Sequence, residues 1–152
     1  SNPIKIEPIR GLPVIKDLVV DFEPFWSKVR DVDPWLKPEG EVPEAEYLAP
    51  NEDMLHLAEV MSCIMCGSCV SDCTVLEVDQ DFLGPAALAK AYRFVGDPRD
   101  DANDSRLKML NKKDIASNCQ KCCSPYFLVI DTLQKRSIIR RVDYRIIAKA
   151  FG

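Results

Sequence analysis

Seven cysteines fall into two short runs, and that distribution constrains the chain more than anything else in its 152 residues. Cys63, Cys66, Cys69 and Cys73 form the first run; Cys119, Cys122 and Cys123 form the second. An odd number of thiols, with no secretory signal expected, argues against a disulfide framework and for metal or redox chemistry. The first run reads C-x2-C-x2-C-x3-C. Three thiolates at so tight a spacing wrap one corner of a cubane iron–sulfur cluster, and the fourth, too far round the turn, ligates another cluster. A distant cysteine must then complete the first site. Gly67 and Ser68 are small enough for backbone N–H groups to approach inorganic sulfide, which raises reduction potential. The count suits two clusters. Cys63, Cys66 and Cys69 with one remote thiolate supply the four ligands of a [4Fe–4S] cluster, and Cys73 with the two remaining thiols supplies the three of a [3Fe–4S] cluster. A structural zinc site would use four ligands and leave three cysteines unused. Buried inert thiols are common singly, but four at this spacing are not.

With 47% apolar and 29% charged residues, a chain of one domain's length can build a packed core. A net charge of −4 and a pI near 5.1 argue against nucleic acid as a partner. No apolar run approaches the roughly 20 residues of a membrane-spanning helix.

The pattern outside the cysteines predicts an all-α fold. Ile15, Leu18, Val19 and Phe22 keep helical spacing, continued by Phe25, Trp26 and Val29; Pro13 can start this helix and Pro24 should kink or divide it. Residues 31–53 carry eight acidic residues against one Lys, with Pro34, Pro38, Pro43 and Pro50, and read as an extended, solvated linker. Asn51 is the expected N-cap of a helix of about ten residues whose stripe is Met54, Leu57, Ala58 and Met61. A second helix has clear ends, with Pro85 in its first turn, Gly96 just past its last, and Asp97-Pro98 as the stop. Its buried face should be Leu88, Ala91, Tyr92 and Val95. A shorter, more polar helix is expected near 103–112. From Tyr126 onward Ile130, Leu133, Ile138, Val142 and Ile146 suggest a helical tail. No alternating strand pattern of any length is expected. The resulting division is an N-terminal helix and acidic linker over 1–50 and a cluster-binding helical domain over 51–152.

Two stretches, SCIMCGSCVSDC and DFLGPAALAKAYRFVGDPRD, together resemble the iron–sulfur subunit of succinate dehydrogenase and fumarate reductase, in its C-terminal, helical-ferredoxin half. The opening IEPIRGLPVIKDLVVDFEPFW resembles the same subunit where its plant-type ferredoxin domain ends, so the likeness runs from about Ile6 to about Lys112. The resemblance implies a helical-ferredoxin fold, a globin-like helical bundle around iron–sulfur clusters with an N-terminal extension. It implies one-electron transfer between a flavoprotein subunit and quinone at membrane-anchor subunits, on a complex peripheral to the inner or cytoplasmic membrane, facing the matrix or cytoplasm. Carried over by residue, Cys63, Cys66, Cys69 and Cys123 would hold a [4Fe–4S] cluster, and Cys73 and Cys119 a [3Fe–4S] cluster. The family's remaining [3Fe–4S] cysteine falls at Lys113, so Cys122 is the substitute thiol. Ser124 stands where a Pro usually follows the last ligand, and Thr74 where a Pro follows Cys73. The plant-type ferredoxin domain is missing, which implies either a fragment or a subunit split between two chains.

Rival readings are a zinc-binding or cluster-free interaction domain, and the iron–sulfur subunit of a heterodisulfide-reductase-like or glycolate-oxidase-like complex, which usually keeps a second full cysteine motif. No nucleophile triad or phosphate loop is present, so catalysis would belong to a partner. His56 reads as an ordinary surface histidine. Trp26 and Trp35 read as packing anchors. Lys135, Arg136, Arg140, Arg141, Arg145 and Lys149 read as a solvated basic face that, in the family setting, could meet a membrane anchor or anionic headgroups.

Overall fold

A computed structural model describes residues 3–111 of the chain. The expectations for Cys119, Cys122 and Cys123, the helical tail and its basic face lie outside the described residues.

The first expected helix forms only over its last part, the stretch that holds Phe25, Trp26 and Val29. Residues Val14–Lys16 (β1) and Val19–Val20 (β2) form a small antiparallel hairpin that sets Val14 opposite Val20 and Lys16 opposite Val19. Asp17 makes the turn in the left-handed region, at φ 53°, and the Asp21 N–H donates to the Pro13 carbonyl at 2.7 Å to close it. The β-branched residues at 14, 15, 19 and 20 favour the extended chain, and helical spacing of apolar side chains was a coincidence of a short window. Helix α1 then starts late, at Glu23–Arg30. Pro24 sits in its first turn, where a missing N–H costs nothing, and does not kink it. The Asp21 carboxylate accepts the Glu23 N–H at 2.8 Å. Phe25 and Val29 are its buried residues.

The expected ten-residue helix breaks in two, α2 (Asn51–Leu55) and α3 (Ala58–Met61). Asn51 is the first helical residue rather than the cap, which is Pro50. The break at His56-Leu57 rephases the inward face. Leu57 and Val60 are buried, Met54 is half-buried, and Ala58 and Met61 face out. Helices α4 (Ser68–Ser71) and α5 (Thr74–Val78) follow as single turns.

Helix α6 (Pro85–Val95) has the expected ends and lies at the centre of the core. Leu88, Ala91 and Tyr92 are buried as expected and Val95 is half-buried; Pro85, Ala86, Ala87 and Ala89 are buried as well. Its alanines let α1, α3, α4 and α7 (Asn103–Leu110) approach its axis. Gly84 makes the entry possible: at φ 87° and ψ 161° it occupies backbone space open essentially to glycine alone. At the other end a Cβ on Gly96 would lie 2.7 Å from Leu57 Cδ2, so α6 and the α2–α3 break meet with no room to spare. His56 is exposed, with its ring edge-on to Tyr92 at 6.2 Å. The two tryptophans are surface residues and not core anchors. Trp26 lies edge-on against Phe25 at 5.0 Å, and Trp35, 51% exposed, lies under the Lys37 ammonium.

The stretch after α1 is not a free linker over its first part. Arg106, buried on α7, donates to the backbone carbonyls of Val32, Asp33 and Trp35 at 3.0, 2.8 and 2.7 Å. It pairs with the buried Asp100 through Nε and Nη2 at 3.0 and 2.8 Å. Asp100 in turn accepts the Lys37 N–H at 3.1 Å, and Asp101 accepts the Glu39 N–H at 2.7 Å. Asp97, beyond the end of α6, accepts hydrogen bonds from Arg93 and Arg99. Arg99 beside it, and Arg93 after it, hold the Asp97 carboxyl well below the usual carboxylate range despite its burial.

Arg106→Ala should destabilise the fold by about 3–5 kcal/mol, because it strands the buried Asp100 charge; a urea titration reads this, and proteolysis should open first at residues 32–39. In the unfolded chain Asp97 protonates near pH 3.9, before the folded chain does. Its contribution is therefore complete above about pH 4 and is lost as pH falls below it. Asp97→Asn should flatten that part of the acid limb in a plot of urea midpoint against pH.

Candidate metal centre

The four described cysteines lie on the stretch from the end of α3 to the start of α5, laid against α6 and the N-terminal segment. Cys63 follows α3, Cys66 lies in the loop, Cys69 is on α4, and Cys73, in extended conformation, is the N-cap residue of α5. Two left-handed residues shape the loop, Met65 at φ 57° and Gly67 at φ 80°. Gly67 suits that conformation; Met65 adopts it at a cost of about 1–3 kcal/mol, the kind of strain that persists only where surrounding structure imposes it. Met65 itself packs, half-buried, against the core. A Cβ on Gly67 would lie 3.2 Å from Phe22 Cε1 and 3.4 Å from Ile9 Cδ1, so the loop is seated on the N-terminal segment. The Arg10 N–H donates to Ser71 Oγ at 3.2 Å and fixes α4 to the same segment.

Exposure peaks at Cys66 and falls away toward Cys73. Cys66 is exposed, Cys63 and Cys69 are half-buried, and Cys73 is 3% exposed among core residues. None of the four is in a disulfide. Cys66 Sγ lies 3.4 Å from Ser68 Oγ. The Ser68 hydroxyl first, and its backbone N–H second, hold the Cys66 thiol below its ordinary range, because both donate to the thiolate. Cys63 Sγ lies 3.5 Å from Met65 Sδ. The Cys73 N–H donates to the Val70 carbonyl at 3.2 Å, joining the α4 turn to α5.

Among the described residues no three His, Cys, Asp or Glu side chains gather as they would around one ion. A cubane makes a different demand, because each thiolate binds a different iron and its ligands stand apart. The donor set fits such a group by its chemistry. The ligands are soft thiols, one is biased toward the thiolate, and a hydroxyl and turn N–H groups lie beside them. The sequence located the four thiols and Ser68. It carried no sign of the left-handed Met65 or of the N-terminal segment beneath Gly67.

No family model matches the chain. Curated proteins do. The fumarate reductase iron–sulfur subunit of Mycobacterium tuberculosis is 40% identical over 120 residues, covering 78% of this chain and 49% of that protein. The chain belongs to the iron–sulfur subunit family of fumarate reductase and succinate dehydrogenase. The succinate dehydrogenase iron–sulfur subunit of Coxiella burnetii is 31% identical over 140 residues, covering 91% of this chain and 60% of that protein. That of Paracoccus denitrificans is 39% identical over 111 residues, covering 72% and 43%. The chain thus spans about half the length of the curated family members it matches. No helix among the described residues of this family member is long and apolar enough to cross a membrane.

Gly67→Ala should destabilise the chain by about 1–3 kcal/mol, since it forces a side chain into left-handed backbone against Phe22. A urea midpoint measures this, and the loss should exceed that of Ser62→Ala on the exposed side of the same loop.

Proposed function

We propose that the chain is an electron-transfer module of a succinate dehydrogenase or fumarate reductase complex, built as a helical ferredoxin. In this reading Cys63, Cys66, Cys69 and Cys123 hold a [4Fe–4S] cluster, and Cys73, Cys119 and Cys122 a [3Fe–4S] cluster. The observation that carries it is the placement of the first cysteine run. Four thiols of C-x2-C-x2-C-x3-C spacing lie between the end of α3 and the cap of α5, backed by one apolar core. When bound, the clusters supply one-electron chemistry at thiolate-ligated iron.

The chain's own residues do the rest. Ser68 stabilises negative charge on the Cys66 sulfur. Leu57, Val60, Val75, Leu76 and Leu83 keep water from the core side, which lowers the local dielectric. Gly67 and Met65 turn the loop so that it runs from Cys66 directly into α4, which carries Cys69. The partners in this reading are a flavoprotein subunit that supplies electrons or takes them, a plant-type ferredoxin domain or chain, and membrane-anchor subunits with quinone. The module sits peripherally at the inner or cytoplasmic membrane, on the matrix or cytoplasmic side. Family membership supports it over the heterodisulfide-reductase-like and glycolate-oxidase-like readings.

Anaerobically purified chain should be brown, contain iron and acid-labile sulfide, and in the oxidised state give the paramagnetic resonance signal of a [3Fe–4S] centre. Cys66→Ala should lose the [4Fe–4S] absorbance and much of the stability, because cluster binding and folding are coupled in small metal domains. A colourless protein with stoichiometric zinc, or a Cys66→Ala variant with spectrum and melting unchanged, contradicts the reading.

A further inference from the structure

We propose that Lys28 is a positioning charge that raises the reduction potential of a cluster held through Cys73, an inference that rests on the ligand assignment above. Lys28 belongs to α1, not to the cysteine stretch. Its Nζ donates to the carbonyls of Gln80 and Phe82, both at 2.6 Å, on the turn that leaves α5. Cys73 caps the other end of that five-residue helix. Lys28 also shares a cleft wall with Val70 and Leu76, which flank Cys73 by three residues on either side. The two carbonyl bonds stop the side chain from swinging into water, so the ammonium is held within electrostatic reach of the Cys73 sulfur.

The surroundings set the sign. Burial works against the ammonium, and the carboxylates of Asp79, Asp81 and Asp31 work for it. A half-buried, fixed positive charge stabilises the added electron of a reduced cluster more than a solvated one would. Neutralising Lys28 removes that stabilisation, so the oxidised form must gain. The cation is not a ligand and transfers nothing; it acts only through its field. Sequence reading had no route to it, since Lys28 lies 45 positions from Cys73 and on a different helix.

The test is a potentiometric titration of the loaded full chain, read by paramagnetic resonance, for the parent, Lys28→Gln, Lys28→Met and Lys28→Arg. Both neutral variants should favour the oxidised cluster by about three- to tenfold, tenfold being 59 mV for one electron. Lys28→Arg, which keeps the charge, should stay within about twofold. Unshifted neutral variants, or an equal shift in Lys28→Arg, overturn the proposal. Where neutral variants load no iron, Asp81→Asn carries the test: removing a carboxylate beside Lys28 should favour the reduced form, and no change or the reverse overturns it. Iron and acid-labile sulfide in the parent are counted first. A parent without them defeats the ligand assignment, whereas a loaded parent with unshifted variants defeats the role of Lys28 alone.

Discussion

Helix α6 has almost no face left for water. Seven of its eleven residues are buried, and its alanines set how closely the neighbouring elements approach. Each of those neighbours is too short to be stable alone: α4 has four residues and α5 five, well under what an isolated helix needs in water. They persist because Val75, Leu76 and Leu83 bury against α6 and its surroundings, each worth about 1.5–3 kcal/mol. The thiols are therefore presented by elements that exist only through tertiary packing. The cysteine loop is also held from its other side, by Ile9 and Phe22 against Gly67.

Charge does a different job from the apolar core. Arg106 and Asp100 are buried as a pair, and most of the Arg106 donors go to backbone carbonyls of residues 32–35. An acidic, proline-rich stretch would repel itself into solution; here its first part is strapped to α7 by one guanidinium. Asp97 similarly gathers Arg93 and Arg99 and closes the end of α6. Lys28 differs, joining α1 to the turn after α5 close to Cys73.

What could be read from the sequence follows from how local each signal is. The ends of α6 were legible because Pro85 and Gly96-Asp97-Pro98 act through their own backbones. The cysteine run was legible because its spacing carries chemistry. The hairpin at 14–20 was not: Ile15, Leu18, Val19 and Phe22 satisfy helical spacing by chance, and strands of three and two residues are too short to alternate. The break at His56 was hidden because it depends on Leu57 seating beside Gly96, forty residues away. The strap on Arg106 was hidden for the same reason, as its partners are more than seventy residues distant in sequence. The left-handed Met65 has no residue-type signature at all.

The central claim is that thiols presented by a core-supported loop bind iron–sulfur clusters and not a lone ion. Iron-edge X-ray absorption on the anaerobically loaded full chain tests it most directly. A first shell of sulfur only, with a second shell of iron at close range, is expected. A first shell of oxygen or nitrogen, or sulfur with no iron neighbour, would contradict it.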